Sequence, residues 1–310
     1  MSATFEPAYL TLLRNSELDH RVEQAFSRLD FCDLCAWRCR VARSANVRGV
    51  CGTGVQAYIS GYCAHMGEEG PLSGWGGSGT IFFARCNLRC QYCQNYTISQ
   101  PGAGQPVEPA RLAEIMLELQ SEGCHNINLV SPSHVIAPIL AAVAIAARAG
   151  LRLPLVYNTG GYDSLTGLAL LDGVIDIYMP DMKYASPSAG RLYSKAPRYP
   201  EVNQAAVREM HRQVGDLQID ARGLAQRGLL VRHLVLPNGQ AGSEQIIRFL
   251  VDEISTNTYL SLMDQYHPDY MVRRSPGQFP KLARPLRPQE YEEAVQIALA
   301  AGLQRIDDSN

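Results

Sequence analysis

Between Gly79 and Met263 the chain alternates short runs of β-branched and aromatic residues with helical periods, and this repeat constrains the fold more than any other feature. Residues 80–84, 126–130, 153–157, 174–179, 229–236 and 259–263 read as strands. Helical periods follow at 111–122, where Leu112, Ile115, Met116 and Leu119 share one face, and at 135–149, closed by Gly150 as a left-handed cap. Further helices are predicted near 164–171, 203–214 and 243–254. Six continuously apolar strands, each followed by a helix, predict a parallel sheet covered by helices. Such a sheet is either doubly wound or curved into a full or partial barrel, and periodicity alone leaves that choice open. The stretch 273–288, rich in Pro and Arg, predicts an irregular wrap, and 289–301 a closing helix with Tyr291, Ala294, Val295 and Ala298 on its face.

Composition narrows the class. The chain has 310 residues, 46% of them apolar and 19% charged, which excludes disorder as its main state. A chain this long buries roughly 75% of its unfolded surface and needs no disulfides. Its formal net charge of -2 argues against binding nucleic acid by bulk electrostatics. The longest apolar stretch, 135–147, contains Pro138 and is shorter than the roughly 20 residues a bilayer requires. Residues 1–13 lack a basic n-region and an apolar h-region, so no signal peptide is expected. The expected location is the cytoplasm, where thiols stay reduced, and 9 cysteines, an odd number, then point to metal rather than to disulfides.

Eight of those cysteines lie in the first third of the chain: Cys32, Cys35, Cys39, Cys51, Cys63, Cys86, Cys90 and Cys93. Cys86-Asn-Leu-Arg-Cys90-Gln-Tyr-Cys93 forms a C-x3-C-x2-C cluster directly after the first strand of the repeat. In barrels of parallel strands the C-terminal strand ends hold the active site. Three thiolates on one loop suit three corners of a cubic iron–sulfur cluster. A structural zinc site takes four closed ligands, whereas a site short of one is open to a substrate or cofactor. A zinc knuckle borrowing a fourth ligand, or three core cysteines, are the alternatives.

With Tyr92 before the third cysteine, the loop resembles the C-x3-C-x-aromatic-C signature of the radical S-adenosylmethionine (SAM) superfamily. The resemblance implies a [4Fe-4S] cluster on Cys86, Cys90 and Cys93, with SAM chelating the fourth iron through its amino and carboxylate groups. It implies one-electron cleavage of the sulfonium to methionine and a 5′-deoxyadenosyl radical that abstracts hydrogen. The implied fold is an α/β partial (β/α)6 TIM-like barrel, in agreement with the six units counted above. A small N-terminal cysteine-rich metal-binding segment and a C-terminal helical extension would flank it. The expected divisions are 1–75, 76–270 and 271–310. Residues 79–99, with Cys93-Gln94-Asn95, are similar to the branch containing pyruvate formate-lyase activating enzyme, and most of the chain resembles its PflX-like proteins.

Residues at the strand ends are the candidate SAM contacts, alongside Tyr92 and Asn95 of the cluster loop. The superfamily's Gly-Gly-Glu-like amino-group motif after the second strand is replaced here by Ser131-Pro132-Ser133-His134, whose hydroxyls, carbonyls and imidazole can receive an ammonium. A plain helix-opening turn reads the same four residues equally well. The third strand ends in Asn158-Thr159-Gly160-Gly161, suited to a ribose or carboxylate, or to a turn. The fourth ends in Asp181-Met182-Lys183, which resembles the Asp-x-Lys element of the activating enzymes and offers a point charge for a carboxylate. Alternation places Arg232 and His233 on opposite faces of the fifth strand, with Arg232 expected inward. Gln265 and Tyr266 follow the sixth strand as candidates for the cofactor or substrate edge.

Cys32-x2-Cys35-x3-Cys39, followed after eleven residues by Cys51, suits a second site. It would hold tetrahedral zinc or an auxiliary Fe–S cluster, as a structural staple or an electron carrier. Cys63 and His65 are possible substitute ligands there, and Cys124 is expected to be an inert core thiol. The Glu68–Gly74 loop is expected to be a solvated turn.

The function expected is hydrogen abstraction from a protein or peptide backbone, installing a glycyl radical. The rivals are radical chemistry on another peptide or a small molecule, and a zinc-stabilised binding module without catalysis. Expected partners are a flavodoxin- or ferredoxin-type electron donor and a protein or peptide substrate, with no nucleic acid and no membrane.

Overall fold

The computed structural model describes residues 5–100 and 103–307. The first four residues of the expected 1–75 segment and the last three of 271–310 lie outside them.

The strands in chain order are β1 (Ala57–His65), β2 (Ser78–Phe83), β3 (Gln105–Val107), β4 (Ile127–Val130), β5 (Leu155–Thr159), β6 (Ile177–Pro180), β7 (Gln218–Ile219), β8 (Ala225–Leu234), β9 (Tyr259–Met263) and β10 (Arg305–Asp307). One sheet runs β10-β9-β8-β6-β5-β4-β2-β1-β3, with β7 paired to β8. From β2 to β10 every neighbour along this path is parallel and the order follows the sequence. A doubly wound sheet reverses its order at a switch point. The steady progression here is the single winding of a barrel, and all six expected strands occupy it. β1 and β3 continue the sheet beyond β2 in antiparallel pairing.

Strand alternation sorts the core. Ile81, Ile127, Leu129, Leu155, Tyr157, Val231, Leu260 and Leu262 face the covering helices. The opposite face, lining the concave side, carries Val156, Ile177, Met179 and Leu230. The helices follow local rules. Ile136–Arg148 tolerates Pro138 because it lies in the first turn, and Gly150 beyond its end takes φ 105°. Leu165–Leu171 is capped by the Ser164 hydroxyl, which accepts from Gly167 N at 3.0 Å. The N-terminal helices Tyr9–Arg14 and Glu17–Ser27 pack on Ile136–Arg148. No helix among the described residues is long and apolar enough to cross a membrane.

One expectation is overturned. β1 runs antiparallel to β2, and part of the loop joining them packs against the sheet. Its short helix Gly70–Ser73 drives Leu72 into the apolar group of Val156, Ile177, Met179 and Leu230. The same turn buries Glu69 to 7% exposure and brings Glu68 within 3.9 Å of Arg232. The loop is a buried plug, not a solvated turn.

Candidate active site

The cluster loop leaves β2 at its C-terminal end and is held by backbone contacts that its own sequence cannot supply. Arg89 N donates to Ser194 O at 3.1 Å and Gln91 N to Tyr193 O at 2.7 Å, so the end of helix Pro187–Ser194 frames the loop. From the other side, Met271 N and Val272 N both donate to Gln91 O, which ties the C-terminal segment over it. Leu88 fills the space left by Gly160, where a Cβ would lie 2.6 Å from Leu88 Cδ1.

Each of the three thiols has a hydrogen-bond partner suited to a thiolate. Leu88 N donates to Cys86 Sγ at 3.3 Å, Ser194 Oγ lies 3.0 Å from Cys90 Sγ, and Ser99 Oγ lies 3.2 Å from Cys93 Sγ. Burial pushes the Cys90 thiol up to about 12, against the opposing pull of the Lys183 ammonium. Burial also raises Cys86, with Cys93 adding to the effect and Leu88 N and Ser131 opposing it. Bare thiolates at Cys86 and Cys90 are therefore disfavoured in this setting, and a cationic metal centre is what would hold them deprotonated. The ligands of a cubane ring a space, each on its own iron, whereas zinc ligands converge on one point. Among the described residues, no three His, Cys, Asp or Glu side chains are grouped to hold a single metal ion, at this loop and among the N-terminal cysteines alike.

Beside the thiols lies a charge network. Lys183 Nζ donates to Asp181 Oδ2 at 2.6 Å. Arg232 donates from Nε to Asp181 Oδ1 and from Nη2 to Asn158 Oδ1, both at 3.0 Å. Burial works against the Asp181 carboxylate, but Arg232 and Lys183 outweigh it and hold Asp181 below the usual range. Burial likewise opposes the Lys183 ammonium, and Asp181 and Cys90 more than offset it, so Lys183 lies above its ordinary value. The network is a fixed polar surface beside the cluster loop, with the ammonium of Lys183 near Cys90 and the guanidinium of Arg232 reaching down to Glu68.

Of the expected cofactor contacts, Ser131, Asn158, Asp181, Lys183 and Arg232 are gathered here, and Ser131 reaches Cys86. Arg232 and His233 take opposite faces as alternation requires: His233 is fully buried, bonded to Met182 O at 2.6 Å and Ser243 Oγ at 2.9 Å. Ser133 and Thr159 are committed to a buried network in which Thr159 Oγ1 donates to Asp163 Oδ2 at 2.7 Å and Ser133 Oγ lies 2.9 Å from Thr159 Oγ1. Gly161 takes φ +73°, and a Cβ there would sit 2.3 Å from Asp181 O, so its freedom serves packing. Tyr92 is buried, with its hydroxyl on Tyr184 and its ring edge-on to Tyr266. Asn95 and Gln265 are exposed, and the Gln265 carbonyl accepts from Gln94 Nε2. His134 is buried against Ala84 O.

The N-terminal cysteines form a second group. Cys32, Cys35 and Cys51 are buried and Cys39 is half-buried. Burial raises Cys35, and Cys51, Cys32 and Cys39 are close enough to raise it further. Arg43, 1% exposed, has among the described residues the neutral carbonyls of Gly54 and His134 as partners and, at 3.5 Å, Cys32 Sγ. A buried guanidinium without a carboxylate calls for negative charge nearby, and thiolates would supply it. Trp37, between these cysteines, donates to Asn87 O at 2.6 Å and so touches the first cluster loop. Cys63 lies apart, exposed on β1 opposite Thr80, and His65 packs edge-on to Phe82; neither joins the four. Cys124 is a buried core thiol beside helix Pro109–Ser121.

Three partners escaped sequence reasoning: Ser194, Ser99 and Tyr184. A serine beside a cysteine 104 positions away leaves no local signal, and helix Pro187–Ser194 is itself masked by its Pro, Ser and Gly content.

Residues 80–221 match the sequence model of the Radical SAM superfamily. The chain is 29% identical over 309 residues to an uncharacterized protein of Methanocaldococcus jannaschii, a match covering 96% of this chain and 83% of that one. Among solved structures it is similar to a radical SAM methyltransferase from Sphaerobacter thermophilus, with 13% identity and a TM-score of 0.41. That match covers 74% of this chain, which spans 65% of the methyltransferase. Residues 80–221 are therefore similar to a radical SAM domain, the kind of domain that holds a [4Fe-4S] cluster and SAM and cleaves SAM reductively.

Proposed function

We propose that this chain is a radical SAM enzyme of the activating-enzyme kind, PflX-like, which abstracts hydrogen from a protein or peptide backbone and so installs a glycyl radical. The observation that carries the radical chemistry is the set of three thiols, each with its own hydrogen-bond partner, at the C-terminal mouth of a singly wound sheet. Cys86, Cys90 and Cys93 would hold the cluster, which would supply the electron for reductive cleavage of SAM and so for hydrogen abstraction from the substrate. Lys183 and Arg232, both anchored on Asp181, offer positive charge for the SAM carboxylate, and Ser131 offers a hydroxyl beside Cys86. The buried plug of Leu72, Glu68 and Glu69 closes the opposite end, which favours access from the cluster side.

The glycyl-radical reading draws on the likeness of residues 79–99 and of Asp181-Met182-Lys183 to the activating enzymes. A flavodoxin- or ferredoxin-type protein is the proposed electron donor. The four N-terminal cysteines are the proposed second metal site, for zinc or an auxiliary cluster, supported by the buried Arg43 beside Cys32. Nine unpaired thiols favour a reducing cytoplasm.

The test is anaerobic incubation of reconstituted protein with SAM, a reductant and candidate glycyl-radical proteins encoded near its gene. A glycine-centred paramagnetic signal on a partner, accompanied by 5′-deoxyadenosine, is expected. 5′-Deoxyadenosine formed with a peptide or small molecule, without that signal, would move the reading to the second kind of substrate. Zinc at both sites with no iron would replace it with a binding module.

A further inference from the structure

The Cys90 thiol ends a line of hydroxyls that nothing in SAM cleavage requires. Cys90 Sγ lies 3.0 Å from Ser194 Oγ, which lies 2.7 Å from the Tyr184 hydroxyl, which lies 2.7 Å from that of Tyr92. Ser194 is 0%, Tyr184 1% and Tyr92 6% exposed, so water does not compete for these bonds. Among the described residues neither Cys86 nor Cys93 has a buried line of hydroxyls behind it: Cys86 meets the amide of Leu88 and Ser131, and Cys93 meets the half-buried Ser99, whose hydroxyl accepts from Gln100 Nε2 at 3.3 Å.

Ligation fixes the direction of the line. A cysteine bound to iron is a thiolate and cannot donate. Ser194 must then spend its single O–H on Cys90 Sγ and can only accept from Tyr184. Tyr184, having donated to Ser194, can only accept from Tyr92. All three O–H groups point toward the sulfur, and in a dry interior each polarises the next.

We propose that Ser194, Tyr184 and Tyr92 form a directed hydroxyl relay that sets the reduction potential of the cluster held by Cys86, Cys90 and Cys93. The inference rests on the assignment of a cluster to that loop. Hydrogen bonds to the ligand sulfurs are one of the levers on iron–sulfur potentials. A donor aimed at a thiolate stabilises the more negative, reduced cluster and makes it easier to reduce. Ser194 is placed to act in this way because the helix that ends with it also frames the cluster loop through its last two carbonyls. Tyr92 thus has a role its place in the signature does not suggest: its hydroxyl faces the relay.

The test is a redox titration of the anaerobically reconstituted full-length protein, following by electron paramagnetic resonance the cluster signal that responds to SAM. Ser194→Ala is expected to leave the iron content unchanged. It should make reduction about threefold to tenfold less favourable, tenfold being about 59 mV for one electron. Tyr184→Phe, which removes only a hydroxyl, is expected to shift the potential the same way by less, and it keeps the test valid if Ser194→Ala folds poorly. Tyr193→Phe is the control, since its hydroxyl bonds Gln240 instead. Wild-type potentials in both Ser194→Ala and Tyr184→Phe, or shifts to higher potential, would overturn the relay alone. A wild-type protein that assembles no SAM-responsive cluster would overturn the relay and the underlying assignment together.

Discussion

Cys90→Ala is expected to lose 5′-deoxyadenosine formation to background, a fall of at least about a thousandfold, or roughly 4 kcal/mol of barrier lowering. The reason lies in the way the loop is built. Its three sulfurs have separate partners on three elements, so removing one leaves the other two in place but one iron without a protein ligand. The variant should keep its fold, because the loop's backbone bonds to Ser194 and Tyr193 do not involve the thiol. Cys63→Ala, on the exposed face of β1, should turn over like the wild type. Comparable 5′-deoxyadenosine yields from Cys90→Ala and wild type under reducing conditions would sink the assignment.

Acidification should destabilise the fold through two imidazoles held neutral. Burial lowers His134 to about 3, with the Arg43 guanidinium adding to it, and burial lowers His233 to about 4. An ordinary histidine in the unfolded chain titrates near 6.5. Between that value and the native ones, the unfolded state binds more protons. The stability contributed by each neutral ring is therefore complete above about pH 6.5 and is lost as pH falls toward 4 for His233 and 3 for His134. At about 1.4 kcal/mol per pH unit, this amounts to roughly 3 kcal/mol for His233 and roughly 5 for His134. Asp176 acts in the opposite sense. Its carboxyl is raised by burial to about 7, so its contribution grows as pH falls through 7 toward 4. A difference measurement removes this opposition. The stability gap between wild type and His233→Gln, measured by denaturant unfolding, should narrow by roughly 2–3 kcal/mol between pH 7.5 and pH 4.5. A gap that stays constant would show that His233 carries no such shift.

The parallel strands were legible because they are largely buried on both faces and so read as apolar runs; β6, Ile177–Pro180, is an example. β1 was not. Its residues are half-buried or exposed after Ala57, and its cysteine and histidine drew attention to metal rather than to pairing. With β1 unread, the burial of Glu68 and Glu69 was unreadable too, because the segment around them could not be recognised as a connection whose Leu72 packs against the sheet. β3 and β10, three residues each, are too short for any period to register. At the site, spacing identified the three thiols, and alternation put Arg232 and His233 on opposite faces, Arg232 being expected inward as a carboxylate binder. Their partners were hidden by distance along the chain: Arg232 meets Asp181 across 51 positions and Tyr92 meets Tyr184 across 92. Ser133 and Thr159 show the converse limit. Hydroxyls at strand ends invite a ligand reading, but the buried carboxylate of Asp163 takes both up into the protein's own network.

The central claim is an iron beside Cys86, Cys90 and Cys93 that carries no protein sulfur and so accepts SAM. It is tested most directly by recording the electron paramagnetic resonance spectrum of the dithionite-reduced, iron–sulfide-reconstituted protein before and after SAM is added. The account predicts a [4Fe-4S]+ signal whose g values move on addition of SAM, and whose SAM-sensitive part vanishes when the three cysteines are changed together to alanine. A spectrum indifferent to SAM, or one equally sensitive in the triple variant, would contradict it.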